Sequence, residues 1–175
     1  MYNVSSSPHV KAKMTTGSIM RDVIIAMIPT SAFGIYNYTN LFGIKYGIHS
    51  ALLILITVIS CVAAEYIYTT ITDQKITIFD LSAVVTGMIL ALNLPCTFPY
   101  WKAALGGAFA IIIVKQLFGG LGQNFMNPAL GARCFLVLSF AGDMTAFYPK
   151  DVKGIDAATS ATPLTALKNA GESSA

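Results

Sequence analysis

Residues 47–71 read GIHSALLILITVISCVAAEYIYTTI, a run in which Glu65 is the single charged side chain. A helix crosses the roughly 30 Å hydrocarbon core of a bilayer with about 20 apolar residues, so this run is long enough to span. Four further apolar stretches accompany it, at 19–38, 79–94, 101–118 and 128–147, and the third and fourth spans along the chain are short. The pattern predicts an all-α integral membrane protein with about five transmembrane helices. A polar arm over 1–18 precedes a membrane domain over 19–147, and an extramembrane segment over 148–175 follows it.

Composition agrees. The 175 residues are 55% hydrophobic and 11% charged, against roughly 25% charged in an ordinary soluble domain. The net charge of +3 is small, and with no basic block or aromatic platform it argues against a nucleic-acid partner. The first eighteen residues are polar, include Ser5, Ser6, Ser7 and Pro8, and hold no apolar core ahead of a cleavage site, so the first span is expected to remain as an anchor. Cys61, Cys96 and Cys134 are too scattered for zinc or an iron–sulfur cluster and are expected as buried small hydrophobes; no metal site is expected.

Five spans put the chain ends on opposite faces. Lys11, Lys13, Arg21, Lys75, Lys115 and Arg133 then share the N-terminal face, and Lys45, Lys102, Lys150, Lys153 and Lys168 the other. The margin is narrow, but Lys168 lies about 20 residues beyond the last span, where the positive-inside rule weakens. The expected topology has a cytoplasmic N-terminus and an extracytoplasmic loop around Thr162.

Along the chain, Ser18 is expected to cap the first span, Arg21 and Asp22 to lie near the interface, and Pro29 to kink the helix. His9 reads as a solvated arm residue. Glu65 is either a carboxylate turned into the bundle interior or an interfacial group paired with a lysine. The third span carries Gly87 and stops at Pro95, an interruption of the kind that marks sites in transporters; Asp80 there is either functional or a partner of the helix dipole. Between the fourth and fifth spans, Gly119, Gly120 and Gly122 permit a tight backbone. The glycine spacing is wrong for a phosphate loop, and no G-K-[ST] follows. Asn127-Pro128 reads as helix cap and first helical residue, and Asn124 and Asn127 together offer amides to a flavin ring or a cation.

Past residue 147 the composition turns polar, and the segment reaches Ser160-Ala161-Thr162-Pro163-Leu164. Thr162 and Pro163 fit a helix start. They fit equally a threonine bearing a phosphate, because a helix N-terminus offers unpaired N–H groups and a positive dipole end.

Four strings in order resemble the family of the Rnf D subunit and NqrB: Ser7-Pro8-His9; DLSAVVTGMILALNLP at 80–95; GQNFMNPA at 122–129; and SATPL at 160–164. The resemblance implies a subunit, not active alone, of a bacterial cytoplasmic-membrane complex that moves electrons between ferredoxin and NAD and couples this to Na+ or H+ transport. It implies covalent FMN attached through a phosphoester to Thr162, after Ser160 and Ala161, by a separate flavin transferase, with other Rnf subunits as partners. A second, noncovalent flavin, riboflavin or FMN, is left open. The family's fold is about ten helices in two inverted halves, of which this chain is expected to carry the N-terminal half. The competing reading is a urea-transporter-like channel or carrier lined by Asp80, Asn93, Asn124 and Asn127, without redox chemistry.

Overall fold

The computed structural model describes residues 15–73 and 78–146. Among them the regular structure is entirely helical: α1 (Thr16–Phe42), α2 (Ile44–Ile71), α3 (Ser82–Leu92), α4 (Tyr100–Phe109), α5 (Pro128–Ser139) and a single turn, α6 (Ala141–Met144). Helices α1 and α2, of 27 and 28 residues, are each about 40 Å long at 1.5 Å per residue, enough to cross a bilayer. Each holds an 18-residue stretch apolar enough to do so. By the same measure α3, with 11 residues, and α5, with 12, reach less than about 20 Å.

Local chemistry sets the boundaries. Thr15, not Ser18, caps α1: the Thr15 hydroxyl accepts from the Ser18 amide, and the Thr15 amide donates back to Ser18 Oγ at 3.1 Å. This reciprocal box moves the cap three residues ahead of the expected one. The helix continues through Pro29 to Gly43, whose φ of 97° lets α2 begin at the next residue. The expected single span over 128–147 is interrupted. Its helix ends at Ser139, and Phe140 leaves helical geometry at φ −135°, ψ 48°. There the Phe140 ring meets Trp101 edge-on and lies 4.6 Å from the Lys102 ammonium, which also pairs with Asp143. These contacts to the start of α4 hold Phe140 where a continuing helix would carry it away.

Helix α2 is the central element, packed against α1, α3 and α4. Its buried face carries small or polar residues, including Gly47, Ser50, Thr57, Cys61 and Ala64, the composition that lets helix backbones approach within a bilayer. A Cβ on Gly87 of α3 would stand 2.8 Å from Val58 Cα, so that helix rests directly on the α2 backbone. Toward one end of the bundle an apolar core forms around Leu53, Leu90, Phe98 and Leu136. Cys61 and Cys96 are buried as expected, whereas Cys134 is exposed, on the outward face of α5.

Candidate functional site

The other end of the bundle is polar. Glu65 on α2 is fully buried and receives a hydrogen-bonded ion pair from Lys115 Nζ at 2.6 Å; Lys115 itself is 2% exposed. Lys115 also donates to Ser82 Oγ at 2.8 Å, and Gln116 Nε2 reaches Glu65 Oε1 at 3.3 Å. Two features of the backbone bring these groups together. Leu81 adopts the left-handed conformation at φ 58°, a cost of about 1–3 kcal/mol for a non-glycine residue, and Ser82 then opens α3 facing Lys115. At the end of α4 the chain widens into a π-helical stretch, Ala110–Gln116, in which Val114, Lys115 and Gln116 are all buried in succession.

The loop that follows covers the site. Gly119, Gly120 and Gly122 hold φ values of 103°, 89° and 88°. In the amide orientation its neighbours dictate, Asn124 donates to the Gly120 carbonyl at 2.7 Å and the Lys115 carbonyl at 3.3 Å, which ties the loop to the end of the π-helical stretch. Asn127 Oδ1 accepts from the Ala129 amide at 3.0 Å, with Pro128 at the first helical position, as the sequence predicts. Ser82, Thr86, Lys115, Asn124 and Asn127 then line one cavity of about 340 Å³, whose apolar walls include Val85, Ile89 and Met126.

The structure therefore joins the two candidate asparagines in one lining and resolves Glu65 in favour of the bundle interior. The lysine that pairs with it comes from inside the bundle. Lys115, 2% exposed, thereby leaves the tally of face charges. Asp80 and Asn93 fall outside the cavity lining: Asp80 precedes α3 in a short 3₁₀ turn, and Asn93 ends α3 with its amide on the Ile89 carbonyl. Of the four residues of the channel reading, this cavity thus joins Asn124 and Asn127 alone. Thr162, Ser160 and Ala161, like His9, lie outside the described residues. No cluster of three or more His, Cys, Asp or Glu side chains suited to a metal occurs among the described residues.

Sequence reasoning missed Lys115, Gln116 and Ser82. A signal was present, because Lys115 follows four consecutive aliphatic residues, Ile111 to Val114, and a carboxylate buried in a bilayer calls for a cation.

A polar, ion-paired site enclosed by apolar helices, two of them long enough to cross a bilayer, defines a helical membrane protein with a buried polar centre. The chain belongs to the NQR2, RnfD, RnfE family, matched over residues 3–175. It is 50% identical over 171 residues to the D subunit of the Na(+)-translocating ferredoxin:NAD(+) oxidoreductase complex of Acetobacterium woodii, covering 97% of this chain and 50% of that protein. It is 38% identical over 173 residues to the D subunit of the proton-translocating ferredoxin:NAD(+) oxidoreductase complex of Clostridium ljungdahlii, covering 99% and 50%. With the D subunit of the ion-translocating oxidoreductase complex of Psychromonas ingrahamii the identity is 37% over 150 residues, covering 85% and 41%. The chain spans about half the length of the curated relatives it matches.

Proposed function

We propose that this chain acts as part of the membrane D subunit of an ion-translocating ferredoxin:NAD+ oxidoreductase complex. In this reading Thr162 carries FMN through a phosphoester installed by a flavin transferase, and the coupled ion is Na+ or H+. The observation that carries the proposal is the 50% identity to the Acetobacterium woodii protein over nearly the whole chain. Five membrane crossings, an inverted second half, a place in the cytoplasmic membrane and contacts with other Rnf subunits belong to the same proposal.

The cavity beside Lys115 is the proposed seat of a second, noncovalent flavin. Its volume of about 340 Å³ falls in the range of small-molecule sites. Its lining suits a planar ring with carbonyl edges: Asn124, Asn127, Ser82 and Lys115 supply polar groups, and Val85, Ile89 and Met126 supply flat apolar contact. A bound flavin supplies reversible electron transfer. The chain's own residues hold it, exclude water and set the charge around it.

The test of the covalent site is Thr162→Ala in the full protein, expressed with the transferase. The expected result is a protein that still inserts into the membrane but loses flavin fluorescence from its denatured gel band, with intact mass lower by one FMN beyond the substitution itself. Fluorescence that persists would place the flavin elsewhere, Thr159 and Thr165 being the neighbouring acceptors. A flavin-free wild-type protein from cells possessing the transferase would favour the channel or carrier instead.

A further inference from the structure

The buried ion pair has a direction. Lys115 and Ser82 line the cavity, while Glu65, which pairs with Lys115, is not among its lining residues. The pair is therefore a dipole whose lysine, and the Ser82 hydroxyl its ammonium bonds, belong to residues of the cavity lining, while its carboxylate belongs to a residue outside that lining. Ser82 Oγ steadies the ammonium from α3, and Gln116 steadies the carboxylate from α4's π-helical extension. Placing two charges out of water is costly, and well-packed apolar residues of the same volume would hold the helices as firmly. The arrangement is explained if the cavity's occupant gains negative charge during its working cycle.

Resting on the proposed flavin occupancy of this cavity, we propose that Lys115 is a specificity-determining residue that favours the reduced, electron-rich form of the ring, and that Glu65 is the positioning residue that holds the ammonium in place. The balance is simple. A neutral oxidised flavin that takes two electrons from the ferredoxin side of the complex and one proton from water carries one negative charge. A fixed cation nearby in a low-dielectric site stabilises that form relative to the neutral one. Lys115 transfers nothing; it shifts the equilibrium between the two redox levels.

The experiment uses the assembled complex with three forms of the chain: wild type, the double variant Glu65→Gln with Lys115→Met, and Lys115→Arg. The double variant removes both charges together and leaves no unpaired ion to unfold the bundle. Two quantities are read. One is acid-released flavin relative to the covalent flavin retained on the denatured chain. The other is the midpoint potential of the releasable flavin in a mediated redox titration. The double variant is expected to keep its releasable flavin with the reduction equilibrium shifted about tenfold toward the oxidised form, about 30 mV for a two-electron couple. Lys115→Arg should return the potential to near the wild-type value. A double variant with wild-type flavin content and an unchanged potential overturns the role of Lys115 while leaving the flavin site standing. A wild-type complex without any releasable flavin overturns the occupancy of the cavity, and this inference with it.

Discussion

Helices α1 and α2 are nearly equal in length and both apolar enough to cross a bilayer, yet they occupy opposite situations. Within its best membrane-crossing window α1 buries 6% of its residues in the bundle, and α2 buries 33%. What α2 buries is not its most apolar side: its aliphatic residues Ile48, Leu55 and Ile59 are exposed, while Thr57, Cys61, Glu65 and Thr69 face inward. In a bilayer the lipid tails are as apolar as leucine, so packing selects small and polar groups for the interior. Hydrophobicity tells that a helix spans; the placement of small and polar residues tells which face is inside.

The strongest way to break this contrast is to strike α2's charge. Lys115→Met alone leaves the Glu65 carboxylate buried without its cation and should destabilise the bundle by about 3–5 kcal/mol, whereas combining it with Glu65→Gln should restore most of that loss. Thermal unfolding of the detergent-solubilised protein checks both variants in one series. Equal stability of the single and double variants would show that the pair does not hold the two helices.

A second effect, smaller, concerns backbone approach. On α3, a methyl group added at Gly87 would meet the α2 main chain at Val58, 2.8 Å from Cα and 3.2 Å from N, and main chain cannot swing aside as a side chain can. Gly87→Ala should therefore lower stability by about 1–3 kcal/mol, the usual range for overpacking. Gly106 makes a useful control. Its Cβ would come within 2.6 Å of Leu136 Cδ1, closer still, but against the end of a side chain rather than main chain. If Gly106→Ala proved the more damaging of the two, contact distance rather than rigidity would set the cost.

Much of this organisation was legible before the structure. The runs at 19–38 and 47–71 announce α1 and α2, Asn127-Pro128 announces the start of α5, and the isolation of Glu65 marks it as a carboxylate to explain, with the bundle interior and an interfacial pairing with lysine both open. Three features were not legible, each for a physical reason. Lys115 reads as a face charge because its partners Glu65 and Ser82 stand 50 and 33 positions away, beyond the reach of any local pattern. The break at Phe140 depends on Trp101 and Lys102, nearly forty positions away, and local apolarity continues past it. Cys134 falls in an apolar run, and the run does not tell that it lies on the outer face of α5 rather than the inner one.

The finest test of the contrast is a glycine on α1. A Cβ built on Gly34 meets nothing within 4 Å, although Gly34 borders a cleft shared with α2 and α3. Its backbone is helical, so alanine fits the conformation and removes the entropy that glycine loses in a helix, worth up to about 1 kcal/mol. Gly34→Ala is thus expected to raise the unfolding temperature slightly, opposite in sign to Gly87→Ala, though both make the same chemical change within an apolar helix. The surroundings explain the difference: a methyl group added at Gly34 enters open space, while one added at Gly87 must displace a neighbouring backbone. Should Gly34→Ala lower stability instead, α1 would pack more closely against another segment than the open space beside Gly34 allows, and the contrast with Gly87 would fall.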